Sequence, residues 1–291
     1  MISAGAIAVT ALGPAADPAQ RFARILDCLG RFAGCPPTVD GAVYRSEAET
    51  GDRNRAPAYL IRGTGALAGD PAEAVETSFR QCAVLATVED LAVMAATPAN
   101  GGVNPVTGAP VVPEPVVVRV LALMATCGMY DASGDWMVRV GLPAKSGVSD
   151  GLVAAGPARF GIAAHSPPLD AVGNPVRGVA ALRELSERFG LHLMHNPATA
   201  AATVVPLRKD EHGAAVQGAL DFTAAERVLF ALYECAPDTP GAVLLDLDRV
   251  TAVDAAAEAM LRRALALLSE QGHTVTVTGL PRASWKQRRS V

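Results

Sequence analysis

The chain has few aromatic residues and no paired cysteines. Aromatic side chains make up 4% of its 291 residues and half of the residues are hydrophobic, so the core must be built from Ala, Val and Leu. The five cysteines form no Cys-x-x-Cys pair and have no histidine set nearby, which excludes the usual zinc-ligand spacing. This odd, unpatterned count predicts reduced, buried thiols. We expect a cytoplasmic protein without a metal or another cofactor.

The chain also lacks an excess of positive charge and a long apolar run. Its net charge of −4 gives no basis for a nucleic-acid partner. Residues 1–13 are apolar, but they lack the basic region of a signal peptide and are too short to cross a bilayer. We expect residues 1–12 to form a buried helix and predict no membrane partner.

The first part of the chain is predicted to be a series of helices. Asp17-Pro18 and Asp70-Pro71 each combine an N-cap with a proline at the first helical position. The residues Thr87–Asp90 resemble a capping box, and a further helix is predicted over Val116–Thr126.

Strands are predicted after residue 130. Alternation over residues 136–140 predicts one strand, and Leu152–Ala155 and Phe160–Ala164 predict two more. An amphipathic helix is predicted over Val179–Phe189. Helices followed by an antiparallel meander and a closing helix indicate an α+β domain, residues 1–196.

A smaller α/β domain is predicted over residues 203–291. A capping box at Thr223–Glu226 is expected to open its first helix, and Ala255–Gln271 is expected to form the second. Its strands are predicted at Thr203–Leu207, Ala214–Gly218, Ala242–Leu247 and Thr274–Thr278. The predicted order is therefore β-β-α-β-α-β.

The run from Tyr44 to Asn54 concentrates acidic, basic and amide side chains. Such a run is usually a solvated loop with local ion pairs. The alternative is a polar pocket for a zwitterion, in which a carboxylate binds an ammonium group and amides bind a carboxylate. The residues alone leave both interpretations open.

Several co-linear segments resemble the serine-dependent glutaminases, which are relatives of the serine β-lactamases and penicillin-binding proteins. They are Ala4-Gly-Ala-Ile-Ala-Val, Ser46-Glu-Ala-Glu-Thr-Gly-Asp-Arg-Asn54, Val93-Met-Ala-Ala-Thr, Ala99-Asn-Gly-Gly-Val, Cys127-Gly-Met-Tyr-Asp, Gly141-Leu-Pro-Ala-Lys-Ser-Gly-Val148 and Ser166-Pro-Pro-Leu-Asp170 with Gly173-Asn174. The resemblance implies a β-lactamase-like α+β fold that lacks its N-terminal part. It also implies L-glutamine as the substrate, a serine acyl-enzyme without a metal, and a homo-oligomer.

The resemblance assigns roles to particular residues. Tyr130 matches the family's catalytic tyrosine, and because a phenol with a pKa of about 10 needs a nearby cation to act as a base at neutral pH, Lys145 is the candidate cation. The backbone N–H of Val148 matches an oxyanion donor. Glu47 and Asn54 match residues that bind the α-amino and α-carboxylate groups of the substrate.

Two further positions match substrate contacts but carry shorter side chains. The family has an asparagine at the position of Ser3 and a tyrosine at the position of Ser78. Each change is expected to remove hydrogen bonds that contribute about 1 kcal/mol or more.

The family's nucleophile lies in a Ser-x-x-Lys segment, which this chain lacks. The residues three before Lys145, Lys209 and Lys286 are leucine, proline and alanine. One hypothesis is a glutaminase whose true start lies upstream, with Met1 matching an interior methionine of the family. The other is a degenerate, non-catalytic glutaminase remnant.

The C-terminal part resembles the STAS domain. The resemblance rests on Gly218-Ala-Leu-Asp221 and on Leu245-Asp-Leu-Asp-Arg-Val-Thr-Ala-Val-Asp254. Where phospho-regulated members have a serine after the second of these segments, this chain has Asp254-Ala-Ala-Ala257. The resemblance therefore implies a protein-binding module without a phosphoserine switch.

Overall fold

In the computed structural model, the described residues are 2–13, 15, 17–67, 69–195, 203–205, 207, 212–237 and 239–279. The chain forms two compact units, Met1–Val138 with Leu142–Ala180 and Arg139–Gly141 with Ala181–Val291. The expected domain boundary near residue 196 lies outside the described residues.

Helices dominate the first unit. They are α1 (Ile2–Ala11), α2 (Pro18–Ala33), α3 (Gly41–Thr50), α4 (Asp52–Gly63), α5 (Pro71–Cys82), α6 (Val88–Ala99), α7 (Glu114–Cys127) and α8 (Ser133–Arg139), with a 3-10 turn at Tyr130–Ala132. The local end signals predicted several of these helices. Asp17 accepts a hydrogen bond from the Gln20 N–H at 2.8 Å, and Thr87 and Asp90 form the reciprocal capping box.

The helix α5 is the centre of the N-terminal helices. The helices α1, α2, α3 and α4 all pack against it. The core between them is built around Phe79, and its other fully or almost fully buried members are Ile7, Ala58, Leu67, Ala74 and Val75. Two short strands, β1 (Thr38–Val39) after α2 and β2 (Val84–Leu85) after α5, pair with each other in antiparallel orientation.

An antiparallel sheet follows the helices. Its strands β3 (Ala144–Ser146), β4 (Gly151–Gly156) and β5 (Phe160–His165) lie in the order β3-β4-β5, and α6 packs on β4 and β5. A Cβ at Gly161 would lie 2.3 Å from the Ala96 nitrogen, so a glycine is needed for this close approach. The predicted strands at residues 152–155 and 160–164 are confirmed, and the helix α9 spans Val176–Phe189.

The predicted strand at residues 136–140 is wrong, because residues up to Arg139 form α8. Val138 is 79% exposed and Val140 is 1% exposed, although alternation would place both on one face of a strand. Trp136 is buried and its indole N–H donates to the Leu142 carbonyl at 2.7 Å. Five alternating residues are too few to distinguish a strand from one helical turn.

Three other expectations are corrected. The polar run at residues 44–54 is part of α3 and α4 rather than a loop. The first helix of the C-terminal part is capped by Asp221, not by Thr223, because the Asp221 carboxylate accepts the Ala224 N–H at 2.8 Å. All five cysteines are free, as expected, but they are exposed rather than buried.

The second unit contains the predicted β-β-α-β-α-β order. Its elements after α9 are β6 (Thr203–Val205), β7 (Gly213–Leu220), α10 (Phe222–Cys235), β8 (Ala242–Val253), α11 (Ala255–Glu270) and β9 (Thr274–Thr278). The sheet order is β6-β7-β8-β9, with β6 antiparallel to β7 and the other neighbours parallel. The strand β8 continues beyond the predicted Leu247 because its second half pairs with the end of β7.

No single helix among the described residues is long and apolar enough to cross a membrane. The consecutive pair Glu114–Cys127 and Tyr130–Arg139 reaches that length and composition only when taken together, and it is bent by 92°.

Candidate active site

The end of α7 is held tightly against β3. A Cβ at Gly128 would lie 1.7 Å from the carbonyl oxygen of Ala144, so only a glycine permits this approach. The Ser146 N–H donates to the Gly128 carbonyl at 3.3 Å. The chain that leaves α7 is therefore fixed beside the strand that carries Lys145.

Tyr130 has a backbone conformation that non-glycine residues rarely adopt, with φ at 55°. Such a conformation costs on the order of 1–2 kcal/mol and needs support from its surroundings. The buried Ser133 hydroxyl supplies that support, because it accepts the Met129 N–H at 3.0 Å and donates to the Tyr130 carbonyl at 2.8 Å.

Tyr130 and Lys145 meet at one carbonyl. The Tyr130 hydroxyl donates to the Ser146 carbonyl at 3.2 Å, and the Lys145 ammonium group donates to the same oxygen. The Lys145 nitrogen also lies 4.2 Å from the centroid of the Tyr130 ring. The structure thus brings together the two residues that the sequence paired.

A buried polar network lies behind this pair. The Ser146 hydroxyl donates to the Asn174 side-chain carbonyl at 2.6 Å, and the Asn174 amide donates to the Met129 carbonyl at 3.3 Å. Ser146 and Asn174 are 2% and 1% exposed, so these bonds are shielded from water. Asn174 therefore connects β3 to the turn that holds Tyr130.

Asp170 fixes the loop that carries Asn174. One of its carboxylate oxygens accepts three successive backbone N–H groups, of residues 172–174, at 2.8–2.9 Å. These donors, led by the Asn174 N–H, hold the pKa of the Asp170 carboxyl below its usual value because they stabilise the charged form.

Val148 follows the same strand. The residue is 70% exposed, and its backbone N–H donates to no described residue. The preceding Gly147 N–H is already used, donating to the Gly151 carbonyl at 2.8 Å. The Val148 N–H is thus available to an external acceptor.

The proposed substrate contacts form a second group around α5. Glu47 on α3 and Ser78 on α5 both shift the pKa of the Cys82 thiol. Cys82 is exposed, but neighbouring atoms crowd its sulfur, and this desolvation raises the pKa of the thiol. The Glu47 charge raises the pKa further, while a hydrogen bond with Ser78 lowers it. Glu47 is half-buried and forms no ion pair with any described residue.

Asn54 lies one turn into α4, close to the junction with α3. A Cβ at Gly51 would lie 2.1 Å from the Phe79 ring and 2.5 Å from the Glu47 carbonyl, so the junction is pressed onto the core. This packing fixes the positions of Glu47 and Asn54 on either side of the junction. Both residues are half-buried. Ser3 is part of α1, but its side chain lies outside the described residues.

The two groups remain separate in the described part of the chain. No hydrogen bond or ion pair among those residues connects the Tyr130 group with the Glu47 group. Nor do the described residues include three or more His, Cys, Asp or Glu side chains placed to hold a metal ion.

A family model described as Glutaminase matches residues 1–194. The chain belongs to the glutaminase family. Residues 207–286 match a model described as Mlab, STAS domain. Both resemblances found in the sequence are therefore confirmed, and the first unit has the β-lactamase-like fold of the glutaminases.

Individual glutaminases agree with this assignment. Glutaminase 1 of Bradyrhizobium diazoefficiens is 39% identical over 307 residues, covering 98% of this chain and 50% of the relative. The Glutaminase of Trichormus variabilis is 49% identical over 193 residues, covering 66% and 58%. The Bacillus subtilis glutaminase YbgJ, solved as a covalent complex with 5-oxo-L-norleucine, superposes with a TM-score of 0.63 at 33% identity, covering 66% of this chain and 68% of that one. The chain thus spans about half the length of the Bradyrhizobium relative.

No local sequence pattern indicates a site role for three residues of the glutaminase domain that lie at these groups in the structure. They are Ser133, Asn174 and Cys82. The motif Gly173-Asn174 was visible in the sequence, but its contact with Ser146 spans 28 positions and follows no local pattern.

Proposed function

We propose that this glutaminase-family chain supplies the base, oxyanion and substrate-binding side of an L-glutamine amidohydrolase site. The observation that carries the proposal is the meeting of Tyr130 and Lys145 at the Ser146 carbonyl. The covalent complex of its relative YbgJ supports an acyl-enzyme route, since it formed by reaction of that protein with 6-diazo-5-oxo-L-norleucine.

In the proposed reaction, a serine hydroxyl attacks the side-chain amide carbon of L-glutamine. Tyr130 acts as the base in its phenolate form, which the Lys145 charge stabilises, and becomes a neutral phenol when it accepts the hydroxyl proton. The Val148 N–H donates to the developing oxyanion. The proton passes to the leaving nitrogen and ammonia departs, and water then hydrolyses the ester to L-glutamate and the free serine. No step requires a metal or another cofactor.

The 291 residues contain no Ser-x-x-Lys segment, so in this mechanism the attacking serine comes from outside them. The chain alone binds substrate without turning it over. Cytoplasmic location and assembly into a homo-oligomer are proposed as well, since they follow from the family resemblance and from the cysteine usage.

The α-amino group of the substrate is assigned to Glu47. Among the described residues the half-buried Glu47 carboxylate has no ion-pair partner, and a ligand ammonium group would supply one. Asn54 is assigned to the α-carboxylate, and Ser3 and Ser78 to weaker contacts. Because Ser3 and Ser78 are short, the affinity is expected to lie below that of a complete site.

Calorimetric titration with L-glutamine tests the substrate assignment. Wild-type chain should bind L-glutamine in preference to D-glutamine, and Glu47→Gln should weaken binding about tenfold or more, because it removes a charge-assisted hydrogen bond. Glu49→Gln is the matched control, since Glu49 is an exposed residue of the same helix. Equal losses in the two variants would refute the role of Glu47.

The alternative function is a non-catalytic glutaminase remnant joined to a STAS module. The short side chain of Ser78 favours it, because a serine reaches less far toward a ligand than the tyrosine that the family has at this position. The absence of L-glutamine binding in the same titration would select this alternative.

The C-terminal STAS domain is assigned a protein-binding role, with domain limits at 1–196 and 203–291. The sequence Asp254-Ala-Ala-Ala257 supports a module without phosphoserine control, since Asp254 caps α11 and no serine follows it there. A pull-down with the full 291-residue chain as bait tests this role. Loss of every captured protein when residues 203–291 are deleted is the expected result, and unchanged capture would contradict it.

A further inference from the structure

A cavity of about 610 Å³, which we call the α2–α6 cavity, lies in the first unit between α2, α6 and the β1–β2 pair. None of the residues assigned to L-glutamine or to its hydrolysis lines it. Its volume falls within the roughly 300–1,000 Å³ of small-molecule sites. Most of its lining is apolar, and the larger of these side chains are Leu29, Val84, Leu85, Leu91 and Met94. A cavity of this size and lining is able to hold a small organic molecule.

The α2 side of the cavity is held in place by contacts that do not depend on a ligand. Gly34 ends α2 in the left-handed conformation, with φ at 78°, and its N–H donates to the Gly30 carbonyl at 2.8 Å. A Cβ at Gly30 would lie 2.8 Å from the Pro37 ring, so the chain that enters β1 is pressed onto the helix. From α6, the Thr97 hydroxyl donates to the Phe32 carbonyl at 3.2 Å. Because the cavity is preformed, binding would cost little conformational entropy.

Asp90 is the only charged residue among the described residues that line the cavity. One of its carboxylate oxygens accepts the backbone N–H and the hydroxyl of Thr87, both at 2.8 Å. These bonds, led by the one from the Thr87 N–H, hold the pKa of the Asp90 carboxyl below its usual value, so the group is charged at neutral pH. The described donor to the other oxygen, Oδ1, is the thiol of Cys35 at 3.3 Å, and a thiol is a weak donor. The Oδ1 oxygen can therefore accept a stronger donor from a ligand.

This carboxylate decides the charge of the ligand. Asp90 forms no ion pair with a described residue. It would repel an anion, and a neutral apolar molecule would offer it no strong donor. An ammonium group would donate a charge-assisted hydrogen bond to it. The N-terminus of α6 lies beside Asp90, but its partial charge of about +0.5 is smaller than the full charge of the carboxylate.

We propose that the α2–α6 cavity binds a small organic amine. The apolar body of the amine lies against Leu29, Leu91 and Met94, and its ammonium group donates to the Oδ1 oxygen of Asp90. The proposal is independent of the hydrolysis of L-glutamine, because the two sites use different residues.

NMR of the methionine methyl groups tests the proposal on the full 291-residue chain, with phenylbutylamine as the probe. Met94 is the methionine among the described lining residues, and comparison with Met94→Leu assigns its methyl signal. We expect that signal to shift and to saturate with a Kd of about 1 mM or below, as is usual for a ligand of this size.

Two further probes change only the head group. Phenylbutanol is neutral and phenylbutyrate is an anion. Each should bind at least about tenfold more weakly than the amine, because neither donates a charge-assisted hydrogen bond to Asp90. Equal affinities of the three probes would overturn the proposal.

Asp90→Asn should weaken the binding of phenylbutylamine about tenfold or more and bring its affinity close to that of phenylbutanol. Glu89→Gln is the matched control, since Glu89 is an exposed acidic residue of the same helical turn that does not line the cavity. It should leave the affinity unchanged. Equal losses in the two variants would show a general attraction to negative charge rather than a contact with Asp90, and would also overturn the proposal.

A second variant covers the case in which Asp90→Asn does not fold, since Asp90 also belongs to the capping box of α6. Ala86 is exposed and lines the cavity, so Ala86→Trp should fill its opening without changing the capping box. Thermal melts followed by circular dichroism check the folding of each variant. Loss of phenylbutylamine binding in Ala86→Trp is expected. Binding that Ala86→Trp leaves unchanged, or no saturable shift of the Met94 signal in the wild-type chain, overturns the proposal.

Discussion

Replacing Asn174 with alanine should destabilise the first unit strongly. The substitution removes the 2.6 Å bond from the Ser146 hydroxyl and the 3.3 Å bond to the Met129 carbonyl. Each hydrogen bond contributes about 1 kcal/mol net, and a buried polar group left without a partner costs about 1–3 kcal/mol more. Because both sites are shielded from water, we expect a loss of about 3 kcal/mol in the free energy of unfolding.

Asn100→Ala is the matched control. Asn100 is exposed, and its side-chain amide donates one hydrogen bond, to the Val103 carbonyl at 3.0 Å. Water can replace that bond, so we expect a loss of at most about 1 kcal/mol.

Urea unfolding followed by tryptophan fluorescence measures both variants. The chain has two tryptophans, and a Trp285→Phe background leaves the buried Trp136 of the first unit as the reporter. The m-value should stay constant while the midpoint falls. If Asn174→Ala costs no more than Asn100→Ala, the buried network does not hold β3 to the Tyr130 turn.

Four further outcomes are expected. Gly128→Ala should cost about 2–3 kcal/mol in a thermal melt, since its Cβ would lie 1.7 Å from a β3 carbonyl. A Cβ at Gly134, which is part of α8, would meet no atom within 4 Å, so Gly134→Ala should stabilise the fold by about 0.5–1 kcal/mol. Because the pKa of Asp170 is lower in the folded state, its charge contributes stability above its unfolded pKa of about 3.9. The stability difference between wild type and Asp170→Asn should therefore shrink as the pH falls below about 4. Glu47→Gln should lower the pKa of the Cys82 thiol and speed its alkylation by iodoacetamide at pH 8, measured by mass spectrometry.

Each of these outcomes can fail clearly. Equal melting temperatures of Gly128→Ala and wild type would contradict the tight packing of α7 on β3. A stability difference at Asp170 that grows toward low pH would contradict the direction of its pKa shift. Cys82 alkylation that speeds up equally in Glu49→Gln would show that Glu47 has no special proximity to the thiol.

Local signals predicted much of the fold. The N-cap at Asp17, the capping box at Thr87 and the strand at Thr274–Thr278 each depend on a few adjacent residues, and the structure confirms all three. Local signals predicted the wrong element where the strand period and the helical period both fit the same residues. Residues 136–140 alternate, but the burial of Trp136 and its bond to the Leu142 carbonyl decide for a helix.

The site could be predicted only where the family resemblance named its residues. Tyr130 and Lys145 were paired from the sequence, and the structure places them in contact. The supporting contacts were beyond prediction because they join distant positions. The hydrogen bond of Ser146 with Asn174 and the electrostatic effect of Glu47 on the Cys82 thiol arise only after the helices and strands have packed.

The formation of glutamate from L-glutamine tests the central claim most directly. The 291-residue chain alone should form none above a Tyr130→Phe control. Once it is joined to the part of the Trichormus variabilis glutaminase that it does not match, it should form glutamate, and Tyr130→Phe should reduce that rate by about 10²-fold or more, as expected for loss of a general base. Glutamate formation by the chain alone, or a complemented rate that Tyr130→Phe leaves unchanged, would contradict the account.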